Sequence, residues 1–207
     1  MRLAIGDKEY LIASENQYDE SSKKSIDSNS GQKIWECSYD LCVMLQRLAL
    51  DPSCKVLELG CGHGLPGLIC LTKGCQVHFQ DYSADTIEKF TKQTVMLNAP
   101  SHIGSCSFSH GEWATFTGHD LYDIILCCEG IYSTDHFAAL KSVLLNHLRP
   151  GTGCAYFAGK KYYFGCGGGT MSFAGFVAPE FQCEAVERIA DGKSNIREII
   201  KIVRCQL

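Results

Sequence analysis

Apolar and polar stretches alternate along the chain in a regular strand and helix rhythm. Residues Arg2 to Ile5 and Lys8 to Ile12 alternate in polarity around Gly6-Asp7, which predicts a small β-hairpin. From Ser14 to Gln32 the chain is polar and serine-rich without periodicity, as expected of a loop or mobile arm placed to act as a lid. Apolar residues return at helical spacing over Tyr39 to Leu50, and Asp51-Pro52 should stop that helix, because proline disfavours helical backbone in the residue before it. Strands are then expected at Cys54 to Leu59, Gln76 to Gln80, Ser105 to Ser109, Tyr122 to Cys128 and Gly153 to Ala158. Helices are expected at Leu65 to Lys73, Ala84 to Leu97, Asp135 to Leu148 and Met171 to Phe176. A closing pair, Cys183 to Ile189 and Ile196 to Val203, reads as an antiparallel hairpin around Asp191-Gly192.

The runs at Cys54 to Leu59 and Tyr122 to Cys128 are apolar without alternation, so both faces of those strands should be buried, as in a parallel sheet. The predicted class is α/β: a Rossmann-like, mostly parallel sheet with helices on both faces and an antiparallel pair at its C-terminal end. A chain of 207 residues suits one such core. Residues 1–32 would form an N-terminal hairpin and polar arm, and residues 33–207 the main domain.

A net charge of −4 argues against a broad phosphate-neutralising face, so direct nucleic-acid binding is not expected. Charges interrupt every apolar run near the N-terminus and no run reaches the length of a membrane span, so no membrane association is expected. The thirteen cysteines lie largely inside apolar strands and include no C-x-x-C pair, which points to reduced thiols packed as small hydrophobes and to no metal site.

Chemistry enters at Lys55 to Gly67, KVLELGCGHGLPG, where a buried strand ends in a glycine cluster. About twenty residues later a second strand ends in Asp81. Together these place a nucleotide-type ligand at the carboxyl edge of a parallel sheet, with Asp81 accepting hydrogen bonds from two ribose hydroxyls. The spacing fits a dinucleotide or S-adenosylmethionine, and the form E-x-G-x-G-x-G at Glu58, Gly60, Gly62 and Gly64 favours the second.

Five further segments carry a more specific likeness: KIWECSYDL (33–41), HFQDY (78–82), FSHGEW (108–113), LCCEGIY (126–132) and KKYYFGCGGG (160–169). With the glycine motif, they make the chain from Lys33 onward resemble the protein-histidine methyltransferases, within a wider group of seven-strand methyltransferases that also modify lysine. The resemblance implies a seven-strand sheet, S-adenosylmethionine as cofactor, and transfer of a methyl group to the tele nitrogen of a histidine in a large-subunit ribosomal protein. It leaves open a lysine acceptor, and a methyltransferase fold kept as a non-catalytic binding module. A monomer in the cytoplasm or nucleus is the default expectation.

Carried onto this chain, the resemblance puts Ile34, Trp35, Glu36, Cys37 and Ser38 beside the cofactor and lets its methionine end approach Gly60 and Gly62. Gln80, Asp81 and Tyr82 would hold the ribose and flank the adenine, with Gly111, Glu112 and Trp113 closing that side and Cys128 below. Glu36 and Glu58 would face the methionine ammonium. For catalysis the candidates are Glu129 and Tyr132, an acidic-x-x-Tyr segment at the end of a strand. Neutral imidazole already carries a lone pair, so what it needs is a partner on its other nitrogen, and Glu129 is the candidate partner. Tyr162, Tyr163 and Phe164 form an aromatic patch that could embrace the ring or pack under the loop. Gly167 to Gly169 suggest a flexible loop at the substrate mouth.

Overall fold

The computed structural model describes residues 1–13, 33–118, 120–190, 192 and 195–205, so the polar arm and the tip of the closing hairpin lie outside the described residues. The N-terminal hairpin, β1 (Arg2–Ile5) and β2 (Lys8–Leu11), is antiparallel. It is part of the body, because Ile5, Tyr10 and Ile12 are buried in the main core and Asn98 bonds both the N–H and the C=O of Leu11.

Seven strands form one sheet: β3 (Lys55–Leu59), β4 (Gln76–Asp81), β5 (Cys106–His110), β6 (Ile124–Cys128), β7 (Cys154–Lys160), β8 (Phe181–Ile189) and β9 (Arg197–Arg204). Their spatial order is β5-β4-β3-β6-β7-β9-β8. All neighbours are parallel except β9, which runs antiparallel to both β7 and β8. The chain moves outward from β3 through β4 to β5, then returns to β6 on the other side of β3. Ligands of open α/β sheets bind at that reversal, outside the carboxyl ends of the strands.

Strand alternation divides the core into two layers. Val56, Phe79, Ile124 and Leu126 face one layer with α1 (Glu36–Arg47) and α2 (Leu65–Thr72). Leu57, Leu59, Ile125 and Phe157 face the other with α5 (Phe137–His147) and α6 (Thr170–Val177). Adjacent Cys127 and Cys128 part in the same way, one to each layer. All thirteen cysteines are free thiols. Among the described residues no helix is long and apolar enough to cross a membrane.

Two helices differ from the sequence pattern, each for a tertiary reason. The helix expected over Tyr39 to Leu50 runs from Glu36 to Arg47, and the Lys73 ammonium closes its end by donating to the carbonyls of Gln46 and Leu48. The helix expected over Ala84 to Leu97 is broken into α3 (Ala84–Thr86), a π-helical turn (Ile87–Thr91) and α4 (Lys92–Asn98). In that turn the buried Thr91 hydroxyl reaches the carbonyl of Gly62 at 2.6 Å, so the irregularity serves the glycine loop.

Candidate active site

The loop after β3 takes left-handed backbone at Gly60, Gly62 and Gly64, conformations that residues with a Cβ rarely adopt. Asp81, at the end of β4 and 8% exposed, holds this loop. One of its oxygens accepts the N–H of Gly62 at 2.9 Å and the other the N–H of Ser83 at 3.0 Å. Burial raises its pKa against the pull of those amides. The carboxylate only accepts, and its lone-pair capacity beyond these amides suits a ribose hydroxyl.

Gln80, next to Asp81 in β4, ties the loops after β3 and β5 together. Its Nε2 donates to the carbonyl of Gly111 at 2.7 Å, and its Oε1 accepts the indole N–H of Trp113 at 2.9 Å and the N–H of Gly60 at 3.4 Å. The Trp113 ring fills the gap between Gly60 and Gly130, where an added Cβ would come within 3.2 and 3.1 Å of it. Tyr82 and Glu112 stand exposed at this rim.

Glu58 lies inside the body of the fold. It is 3% exposed, and its Oε2 accepts the N–H of Gly67 at 2.8 Å, on the face of the sheet that carries α2. A Cβ on Gly67 would lie 2.5 Å from that oxygen and from the Phe79 ring, so this glycine allows the close helix–strand packing. Gly62, Gly64 and Gly67 also satisfy the dinucleotide spacing G-x-G-x-x-G, so spacing here does not separate the two ligand classes.

Burial pushes the Glu58 carboxyl up to about 8 from its ordinary 4.5. Between those values the folded protein binds more protons than the unfolded chain, so the stability of the ligand-free protein should fall as pH rises through this window, by at most about 1.4 kcal/mol per pH unit. Denaturant midpoints measured near both ends of the window should converge in Glu58→Gln. An undiminished slope would show that Glu58 ionises as freely folded as unfolded.

The acceptor side is built by the start of α1 and the ends of β6 and β7. Trp35 caps α1 with its carbonyl and is 38% exposed, with the Lys33 ammonium 4.4 Å from its ring, so it is not a core anchor. Ile34 packs on the core edge and Ser38 is half-buried. Glu36 is exposed and lies 3.6 Å from Arg197 on β9, which also pairs with Asp40 at 2.6 Å and so holds α1 to the sheet. Cys128 lies under this turn, its thiol 3.8 Å from the carbonyl of Cys37.

Glu129 follows β6 with φ of 56°, the one non-glycine residue with positive φ among those described. Such backbone costs on the order of 1–3 kcal/mol and gathers at functional sites. Its carboxylate accepts the Tyr163 hydroxyl. The buried Cys37 thiol lies beside it, and burial together with the charge and hydrogen bond of Glu129 drives that thiol far above its usual range. It is a neutral neighbour, not a nucleophile. Tyr132 is 38% exposed and its hydroxyl meets His136 Nε2 at 2.9 Å, while His136 stands edge-on to Trp113 with ring centres 5.5 Å apart.

Within the glycine triplet Gly167 is exposed and the other two are packed. Gly168 and Gly169 are buried where residues 161–163 cross residues 131–133: Gly169 donates to Ile131 O at 2.9 Å and Tyr163 to Gly168 O at 3.1 Å. The lack of side chains permits this close backbone contact. Sequence reasoning passed over Thr91 and His136, which carry no local motif, and did not separate Tyr163 from its aromatic neighbours.

The profile of the family described as lysine methyltransferase matches residues 15–163. The chain belongs to that family. A relative in Dictyostelium discoideum named histidine protein methyltransferase 1 homolog is 38% identical over 178 residues, 83% of this chain and 57% of that protein. EEF1A lysine methyltransferase 3 of Xenopus tropicalis, another relative, is 27% identical over 172 residues, 81% of this chain and 74% of its own length. The family member described here spans about half the length of the histidine protein methyltransferase relatives it matches. Its fold is that of the glycopeptide N-methyltransferase MtfA complexed with sinefungin, with a TM-score of 0.65 at 14% identity over 83% of this chain and 95% of the other.

Proposed function

We propose that this chain is an S-adenosylmethionine-dependent protein methyltransferase whose acceptor is the tele nitrogen of a histidine in a large-subunit ribosomal protein, acting as a monomer in the cytoplasm or nucleus. The observation that carries the reading is Glu129: a carboxylate held at strained backbone at the carboxyl end of β6, the strand paired with the one that feeds the glycine loop, with the Tyr163 hydroxyl donating to it. The relatives named histidine protein methyltransferase 1 support imidazole as acceptor.

Gly60, Gly62, Asp81 and the Gln80-Trp113 brace would hold the cofactor, which supplies an electrophilic methyl group when bound. Catalysis by the protein is then mainly alignment and exclusion of water. Neutral imidazole attacks through its free lone pair, and Glu129 accepts the N–H of the other ring nitrogen, fixing the tautomer. The Xenopus relative and the family profile favour a second reading, in which the same carboxylate receives a lysine amine.

Purified protein incubated with heavy-methyl S-adenosylmethionine and a proteome extract lacking it should label histidine in a ribosomal protein. Label on lysine supports the second reading, and label on a non-ribosomal protein removes the ribosomal assignment. In calorimetry Asp81→Ala should bind the cofactor at least about tenfold more weakly, the scale of hydrogen bonds to a charged group. Failure of the unaltered protein to bind it would remove the reading of the glycine loop.

A further inference from the structure

Within the aromatic run after β7, the three rings have different fates. Phe164 is 88% exposed and the Tyr162 hydroxyl meets Met171 Sδ at 2.9 Å. Tyr163 alone turns its hydroxyl inward, where the oxygen accepts the N–H of Lys160 at 3.0 Å and the O–H donates to Glu129 Oε2. These roles cannot be exchanged. A main-chain N–H can only donate, so the phenol proton is left for the carboxylate.

We infer that Tyr163 is a positioning residue that holds Glu129 in one orientation for the ring N–H of the acceptor, and thereby decides which imidazole nitrogen is methylated. This rests on the proposed histidine acceptor. Tyr163 is itself fixed by the glycine crossing, donating its N–H to Gly168 and accepting from the N–H groups of Cys166 and Gly167 at 3.2 Å each. Burial and the neighbouring Glu129 charge raise the phenol far above its ordinary range, so it stays a donor. Tyr163 exchanges no proton in the reaction. The ring nitrogen forms the new N–CH3 bond, the electrons of the S–CH3 bond remain on sulfur, and the ring's other N–H proton leaves to solvent.

The test uses the full chain, heavy-methyl S-adenosylmethionine and the same extract, with hydrolysed product resolved into tele- and pros-methylhistidine. The unaltered protein should give the tele isomer alone. Tyr163→Phe should give a mixture at a rate lower by about tenfold, the scale of one hydrogen bond to a charged group, with cofactor affinity unchanged in calorimetry. Adding Tyr163→Phe to Glu129→Gln should cost nothing further, because the two act as a unit. Pure tele product at the original rate, or losses that simply add, overturns the inference. Label on lysine in the unaltered protein overturns the acceptor reading and with it the choice of ring nitrogen, while non-additive losses would still report the coupling of Tyr163 to Glu129.

Discussion

Glu129→Gln should lower turnover by about 10²- to 10³-fold, the loss found when one preorganised polar group at a reacting centre is removed. Cofactor affinity should stay within about threefold, since the carboxamide is nearly the same size and the glycine loop and Asp81 do not touch it. The reason is directional. A carboxylate only accepts, so it selects the tautomer whose N–H points at it, whereas an amide can present its NH2 group and select the wrong tautomer. Single-turnover labelling and calorimetry on one preparation separate the two quantities. Equal losses in turnover and cofactor affinity would place Glu129 in the cofactor site instead.

Backbone strain supplies an independent check at the same residue. Glu129 holds φ of 56°, which glycine adopts without a steric penalty. Glu129→Gly should therefore be inactive yet no less stable than the parent, and up to about 1 kcal/mol more stable where the relieved strain exceeds the lost contacts. A lower melting temperature would mean that the lost bond to Tyr163 outweighs the relieved strain.

Legibility in the sequence tracked how local each determinant was. The runs of β3 and β6 stand out because burial on both faces forbids polar residues, and the glycine-to-Asp81 spacing stands out because one strand and one helix separate the two. The burial of Glu58 is contained in strand alternation: it shares a face with Val56, hence the buried layer under α2. The π-helical turn left no trace, since Ile87–Thr91 has ordinary helical composition and departs from it only for Thr91 to reach Gly62. The end of α1 depends in the same way on Lys73, twenty-odd residues further along. The packing of Gly168 and Gly169 was hidden for another reason. Lack of side chains fits motion or close contact equally well, and only the segment that crosses it decides which.

That crossing makes Gly168→Ala the substitution expected to harm the fold most. An added Cβ would lie 2.3 Å from the carbonyl oxygens of both Ile131 and Tyr132, closer than real Cβ contacts allow, and main-chain atoms cannot move aside as a flexible side chain would. Relief requires residues 161–169 and 131–133 to separate. The expected destabilisation is about 3 kcal/mol or more, the upper range for overpacking a tight site. Gly175→Ala is the matched control: this glycine lies exposed in α6 with nothing within 4 Å of an added Cβ, so alanine should stabilise the helix by about 0.5–1 kcal/mol. Denaturant midpoints should move in opposite directions for the two variants. Where Gly168→Ala remains folded at low temperature it should also lose tele selectivity as Tyr163→Phe does, because Tyr163 hangs from the Gly168 carbonyl and Glu129 from Tyr163. A destabilised variant with intact selectivity would mean that Glu129 keeps its orientation without the crossing, and that its strained backbone alone aims the carboxylate.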